Sequence, residues 1–176
     1  MNKLGFTLVE IMVVIIIMGI LAAIGVPKIF TVVAKSKAAE VAPAAGTYVK
    51  LQNAYAYQHH AIGGWNRIGY SGPGKSNSNG DGSATENFTY EGSLNADAEM
   101  KNRNIEYAWS AKSNLALNDC PEGNVWSVDV EYNKDTRILD VFAEVENEAV
   151  CQPLTLSFSL ISNMKERKAW VPPSPN

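Results

Sequence analysis

The sequence lacks the motifs that carry most enzymatic chemistry. It contains no G-x-S-x-G nucleophile elbow, no P-loop, no H-E-x-x-H helix and no Rossmann glycine fingerprint. Near-neutral bases are also scarce, because the only histidines, His59 and His60, are consecutive and cannot both face one site. We therefore predict no catalytic residue, no cofactor and no enzymatic activity.

Carboxylates are the remaining candidates for general acid–base catalysis, and their positions in the sequence argue against that role. They alternate outward on predicted strands or follow them in a charged turn, which predicts a solvated face. This set comprises Glu106, Asp129, Glu131, Asp140, Glu144, Glu146 and Glu148. Asp81, near Asn77 and Asn79, lacks the downstream carboxylate spacing of an EF-hand, so no metal site is predicted.

Basic residues are in the minority, and they are unevenly distributed. The formal net charge is -3 and the isoelectric point about 5.4. Residues 28–58 contain four lysines against Glu40, whereas residues 59–176 contain ten basic and sixteen acidic residues. A nucleic-acid-binding surface needs clustered positive charge, so nucleic acid is an unlikely partner of this acidic part.

One long apolar run stands out against this background. It extends from Phe6 to Val26, and its twenty-one residues would reach roughly 30 Å as a helix, the thickness of a bilayer's hydrocarbon core. Glu10 lies inside the run, where an ionised side chain costs about 3 kcal/mol. The carboxylate therefore calls for a partner cation, and an amine created by cutting after Gly5 would supply one.

These residues resemble the N-terminus of type IV prepilins. The resemblance consists of a short basic leader, M-N-K-L-G over 1–5, then F-T-L-V-E over 6–10, then I-M-V-V-I-I-I-M-G-I-L-A-A-I-G-V-P over 11–27. It implies that a prepilin peptidase cuts between Gly5 and Phe6 and methylates the new Phe6 amine. An ordinary secretory signal fits less well, because Lys3 is almost at the start and no Ala-x-Ala site closes the run.

The resemblance also implies a polymer. The precursor would be held in the bacterial inner membrane, and the inner-membrane pilus assembly machinery would then add it to a helical filament of identical copies on the cell surface. Glu10 would accept the methylated Phe6 amine of a neighbour, and the stretch from Gly19 to Pro27 would be where the helix can melt on packing. In that setting Cys120 and Cys151 face an oxidising compartment, which favours a disulfide over two free buried thiols.

The remaining pattern predicts an α+β fold, a long N-terminal helix packed on an antiparallel sheet. We divide the chain into a leader (1–5), a hydrophobic helix (6–27), an amphipathic stem helix (28–58), a flexible loop (59–87) and a sheet head closed by the disulfide (88–176). Pro27 and Pro43 should kink or loosen the helix. Apolar stem residues at spacings of three and four predict the face covered by the head: Ile29, Val32, Val33, Val41, Ala45, Tyr48, Val49, Leu51 and Tyr55.

The loop and the strands follow from composition and alternation. Glycine, serine and asparagine in residues 59–87 predict no packed element and a mobile, exposed second half. Trp65 and Tyr70 either pin the first half of the loop to the head or, with Arg67, form a surface-binding site. Besides a short strand over 88–91, the predicted inward residues are Ile105, Tyr107, Trp109 and Ala111; Trp126, Val128, Val130 and Tyr132; Leu139, Val141, Ala143 and Val145; and Leu154, Leu156, Phe158 and Leu160.

These observations together predict a structural subunit of a type IV pilus that serves adhesion, motility or surface attachment. A type II secretion pseudopilin or a minor pilin is the alternative within the superfamily, and the two cysteines and the long loop favour the pilus subunit. The alternative from another class is a membrane-tethered binding protein that does not polymerise and grips a sugar or a surface through residues 65–70.

Overall fold

The computed structural model describes residue 5 and residues 7–101, 104–133 and 136–164. It contains two long helices, an antiparallel sheet and several short elements. In chain order these are α1 (Leu8–Ala38), α2 (Val41–His59), β1 (Ile62–Gly63), α3 (Trp65–Ile68), β2 (Lys75–Ser76), β3 (Gly82–Ala84), β4 (Phe88–Glu91), β5 (Glu99–Met100), β6 (Asn104–Ser113), β7 (Val125–Asn133), β8 (Ile138–Val145) and α4 (Glu148–Cys151).

The two long helices are one helical rod broken once. α1 passes through Pro27 without ending, and the break is a turn at Ala39 and Glu40. Pro43 lies in the first turn of α2 and has no N–H to donate to the carbonyl of Ala39, so the chain cannot continue the α1 hydrogen-bond ladder there. The predicted loosening of the helix by Pro43 is confirmed.

Six strands form the main sheet in the order β2-β3-β4-β6-β7-β8, with every neighbouring pair antiparallel. β1 and β5 form a separate two-stranded sheet. The predicted strand over 88–91 is confirmed, and so are the predicted inward residues of β7 and β8, since Trp126, Val128, Val130, Leu139 and Val141 are buried. On β7 the prediction that Ser127 faces solvent was wrong, because it is buried too.

α2 covers one face of this sheet and closes the core. Its buried side chains recur at helical spacing, and all but Gln52 belong to one hydrophobic core with the large aromatic side chains of the strands. The α2 set is Val41, Ala44, Ala45, Tyr48, Gln52 and Ala56, and the sheet set includes Phe88, Tyr90, Trp109 and Trp126. The predicted α+β fold, a long helix on an antiparallel sheet, is confirmed.

The head covers less of the stem helix than the spacing of the stem's apolar residues predicts. Burial on α1 begins at Ala34 and Ala38, while Ile29, Val32 and Val33 remain exposed. The prediction that the head covers these three residues was wrong. The three- and four-residue spacing identifies a shared helix face, but it does not show how far along the helix the covering element reaches.

Residues 59–87 contain packed elements, so the prediction of an unstructured loop was wrong. They form β1, α3 and the hairpin of β2 and β3, in which Gly82 and Ser83 are buried. The turn is built by the residues that suggested disorder: Asn77 accepts from Gly80 N–H at 2.8 Å, and Gly80 has a φ of 76°. Asparagine and glycine therefore make a tight turn here, not an unstructured segment.

β6 contains a bulge that the alternation did not predict. The register with β7 shifts between Ile105 and Trp109, and Tyr107, with a φ of 51°, is exposed where an inward side chain was predicted. The Tyr107 N–H donates to Asp129 Oδ1 at 2.8 Å, and Asp129 is buried. The prediction that Asp129 faces solvent was wrong, because the bulge turns the Tyr107 N–H onto one oxygen of the buried carboxylate.

The fourth alternating segment is not a strand. Residues 152–154 and 159–161 are single 3₁₀ turns that follow α4, and Leu156 and Leu160 point into solvent. The buried residues are Thr155 and Phe158, three apart, and Thr155 accepts from Trp126 Nε1 at 2.8 Å. Pro153 lies at the start of the chain's first 3₁₀ turn, as its second residue, and a period of three replaces the predicted period of two.

Candidate assembly site

The first turn of α1 is closed by a reciprocal cap. Glu10 Oε2 accepts from the Thr7 backbone N–H and from Thr7 Oγ1, both at 2.8 Å, and the Glu10 N–H donates back to Thr7 Oγ1 at 3.3 Å. Thr7 has an extended backbone, with φ of -79° and ψ of 151°, as a capping residue requires. This capping box satisfies two N–H groups that would have no partner at the helix start.

Thr7 is a site residue that we missed in the sequence, although a signal for it is present. A threonine followed three residues later by glutamate, just before an apolar run, is the capping-box signature. The cap also places the negative charge of Glu10 at the positive end of the helix dipole, which lowers the cost of that charge. Phe6, predicted to carry the cleaved and methylated amine, lies outside the described residues.

The surface of α1 below the head is apolar on every side as far as Val26, apart from Glu10 in the first turn. From Leu8 to Val33 its large hydrophobic side chains are exposed in the isolated subunit. Within the described residues, the rod of α1 and α2 is the one helix long and apolar enough to cross a membrane, and none of its most apolar window is buried. A Cβ at Gly19 would meet nothing within 4 Å, so the predicted assembly residue Gly19 is not required by packing inside the subunit.

The predicted disulfide is present. Cys120 and Cys151 are bonded with a Cα–Cα distance of 4.9 Å, and both are buried. Cys120 lies in the connection between β6 and β7, and Cys151 ends α4. The bond therefore ties the segment after β8 to the central strands of the sheet.

The candidate surface-binding residues divide between core and surface. Trp65 and Tyr70 are buried, and their rings contact edge to face with centroids 4.8 Å apart. The Tyr70 hydroxyl donates to the carbonyl of Ala44 and accepts from Trp109 Nε1 at 2.9 Å, and burial raises its pKa to about 12. Arg67 is exposed and donates to the carbonyl of Asp97. The hypothesis of a surface-binding site that uses both rings was wrong. The alternative, that these residues anchor the loop to the head, is confirmed.

The two histidines face different partners, as predicted. The His59 ring stacks on Tyr55 with centroids 4.3 Å apart, while His60 Nδ1 lies 2.8 Å from the Tyr132 hydroxyl. Across the described ranges, no three histidine, cysteine or carboxylate side chains are grouped so that they could hold a metal ion.

The fold and the site together define a class of protein: an exposed apolar helix, capped at its start by Thr7 and Glu10, that continues into a disulfide-bonded antiparallel head. This is a pilin-like architecture. The family model described as the prokaryotic N-terminal methylation motif matches residues 1–26, so the chain carries the type IV pilin signature.

That motif supports a structural subunit precursor, pilin-like or pseudopilin-like, which is processed by prepilin peptidase and assembles into pilus-type polymers. The apolar helix fits a membrane-anchored form of this precursor. A search of curated proteins finds no match to the chain.

Proposed function

We propose that the mature chain is the structural subunit of a type IV pilus, polymerised through α1. The observation that carries this proposal is the apolar surface of α1, which is exposed from Leu8 to Val33. Burying one such valine, leucine or isoleucine side chain contributes about 1.5–3 kcal/mol, so this surface needs a cover both before and after assembly. The bilayer covers it in the precursor, and the helices of other copies cover it in the filament.

Glu10 supplies the register in this proposal. Both hydrogen bonds from Thr7 end on one oxygen of the Glu10 carboxylate, Oε2. The other oxygen, Oε1, can therefore accept a hydrogen bond from a second donor. The amine of Phe6 on a neighbouring copy is such a donor, because N-methylation keeps its positive charge. A pair of this kind in an apolar filament core is strengthened by the exclusion of water.

The stem favours a polymer over a tether that never assembles. Ile29, Val32 and Val33 lie beyond the run from Phe6 to Val26 that matches the thickness of a bilayer, yet their side chains are exposed. A tether needs apolar surface within the bilayer and none between bilayer and head. In a polymer, other copies that pack against the stem would bury this additional apolar surface.

Electron microscopy of filaments sheared from cells, combined with mass mapping of their peptides, tests this function. We expect filaments composed of this chain, with an N-terminal peptide that starts at Phe6 and carries one methyl group. Gly5→Val should leave the leader attached and abolish the filaments, because the peptidase needs the smallest residue before the cut. A mature start at Ala23 or Ile24 would refute the proposal.

A further inference from the structure

Beyond the membrane span, α1 carries positive charge along one face. Lys28, Val32 and Lys35 follow one another at spacings of four and three residues, on one face of the helix. Neither lysine is in an ion pair within the described part of the chain, and Val32 is 59% exposed. We call these three residues the basic stripe.

The head carries an apolar ridge beside this stripe. The ridge is residues 152–160, which run from the first 3₁₀ turn (Gln152–Leu154) into the second (Ser159–Ile161). Leu156 is 69% exposed and Leu160 is 81% exposed, although Phe158 between them is buried. A groove of about 390 Å³ separates the ridge from the helical rod, and it is lined by Leu156 and Leu154 on one side and by Lys35 and Pro43 on the other.

The far flank of the same ridge is acidic. A second groove, of about 440 Å³, lies between the ridge and β8, and its lining includes Glu146, Glu148 and Ser159. Glu146 and Glu148 are exposed. The surface therefore presents, in order, negative charge, exposed leucines and then Lys35, the end of the basic stripe that is nearest the head. We call the second groove the acidic groove.

We propose that the acidic groove and the ridge of one copy dock on the basic stripe of a second copy. The inference rests on the proposed polymer and specifies a contact between head and stem within it. Opposite charges meet at the rim of this contact, while Leu160 covers Val32 at its centre, which matches the usual arrangement of an apolar centre and a polar rim. Complementary rim charges steer the encounter and fix its register.

The arrangement explains why the contact propagates. The two surfaces that meet are different patches of the same chain, so each copy that uses its acidic groove still offers its basic stripe to another. Contacts of this heterologous kind generate open helical filaments when the rotation between copies does not close a ring. A self-complementary patch would instead end in a dimer.

Charge reversal on the full-length chain, in cells with no other pilin, tests the docking surface. Glu146→Lys with Glu148→Lys, and separately Lys28→Glu with Lys35→Glu, should each lower the yield of sheared filaments at least tenfold while cleavage after Gly5 continues. Combining all four substitutions restores opposite charges and should recover at least a third of the wild-type yield. The matched control is Glu91→Lys with Glu122→Lys, which makes the same charge change at a groove elsewhere on the head.

A crosslink provides a second readout that survives a folding defect in any reversal variant. Copies carrying Val32→Cys, co-expressed with copies carrying Leu160→Cys, should form crosslinked dimers with a short bismaleimide, and Val32→Cys with Glu122→Cys should not. Full filament yield after both reversals, or filaments without the first crosslink, would overturn the docking surface and leave the polymer standing. If the wild-type chain forms no filaments at all, the proposed polymer fails and the docking surface fails with it.

Discussion

The Asn163 side chain closes the free edge of the sheet by taking the place of a neighbouring strand along Val141. Its Oδ1 accepts from the Val141 N–H at 2.7 Å, and its Nδ2 donates to the carbonyl of Leu139 at 2.9 Å. The Asn163 N–H also donates to the carbonyl of Val141 at 3.1 Å, and Ser162 Oγ accepts from the Ala143 N–H at 2.7 Å. The edge strand β8, otherwise open to pairing with another chain, is thereby covered from Leu139 to Ala143.

Asn163→Ala should therefore loosen the β8 edge without unfolding the head. Losing two hydrogen bonds from the side chain should lower the free energy of unfolding by about 1–2 kcal/mol. Amide hydrogen exchange of the full chain in detergent should show at least tenfold faster exchange at Val141, with β6 unchanged. Ser157→Ala, at an exposed position, is the control, and equal exchange at Val141 in both variants would contradict the cap.

The bond between Cys120 and Cys151 should dominate the stability of the C-terminal part of the head. Cys151→Ser should lower the free energy of unfolding by roughly 2–5 kcal/mol and reduce surface filaments, because the ridge is then tied to the core by fewer contacts. Cleavage after Gly5 should be unaffected. The double variant with Cys120→Ser should match the single variant, since one bond is lost in both. Alkylation of both thiols in the unreduced wild type would contradict the bond.

Buried tyrosines predict that the head loses stability in alkali. Burial raises the pKa of Tyr70 to about 12 and raises the pKa values of Tyr48 and Tyr90 as well. An unfolded tyrosine titrates near 10, so above that pH the unfolded chain releases protons that the folded head retains. The stabilisation is complete below about pH 10 and is lost as the pH rises through the folded pKa, by about 1.4 kcal/mol per pH unit for each group.

The Tyr70→Phe variant measures how much one of these tyrosine hydroxyls contributes to stability and to its pH dependence. At neutral pH the variant should be less stable by about 1–3 kcal/mol, because Trp109 Nε1 and the carbonyl of Ala44 lose their shared partner. Between pH 10 and pH 12 the free energy of unfolding of the variant should fall less steeply with pH than that of the wild type, because its unfolding releases one proton fewer. Denaturation followed by near-ultraviolet circular dichroism checks both effects. Tyr57→Phe, on an exposed side chain, should change neither.

Alternation of apolar side chains predicted the strands well where both faces of the strand have a fixed environment. On β7 and β8 the predicted inward residues Trp126, Val128, Val130, Leu139 and Val141 are buried, although Ser127 and Asp129 on the other face of β7 are buried as well. The same pattern failed over residues 154–160, where it arose by chance. Pro153 cannot join a central strand, and Thr155 and Phe158 reach the core from a 3₁₀ turn. The proline was visible in the sequence and was the better guide.

The assembly site was only half predictable. The charge of Glu10 inside an apolar run stands out in any hydropathy profile, and it led to the pairing hypothesis, whereas the cap formed with Thr7 was missed. The docking surface gave no such signal, because Lys28, Lys35, Glu146 and Glu148 look like ordinary solvated charges along the chain. Their arrangement around the ridge depends on how residues 152–160 pack between α1 and β8, which is a tertiary property.

Glu10 and Thr7 together separate a local cap from a contact between copies. If Glu10 serves only the capping box, Glu10→Ala and Thr7→Ala should have the same effect, since each breaks the same reciprocal hydrogen bonds. Loss of such a cap costs about 0.5–2 kcal/mol of helix stability. That cost falls on the first turn of one subunit and should leave membrane insertion and cleavage intact in both variants.

If Glu10 also pairs with the Phe6 amine of a neighbour, the two variants should differ. Glu10→Ala leaves a positive charge unpaired in the filament core, a loss of typically 3–5 kcal/mol at every subunit, whereas Thr7→Ala keeps the carboxylate. We therefore expect Glu10→Ala to accumulate in the inner membrane, to be cleaved after Gly5 and to yield few or no sheared filaments, while Thr7→Ala yields them. Counting filaments per cell by electron microscopy distinguishes the two roles of Glu10, provided that the cells contain no other pilin that could co-assemble. Wild-type yield from Glu10→Ala would refute the pairing, and equal losses in the two variants would reduce Glu10 to a helix cap.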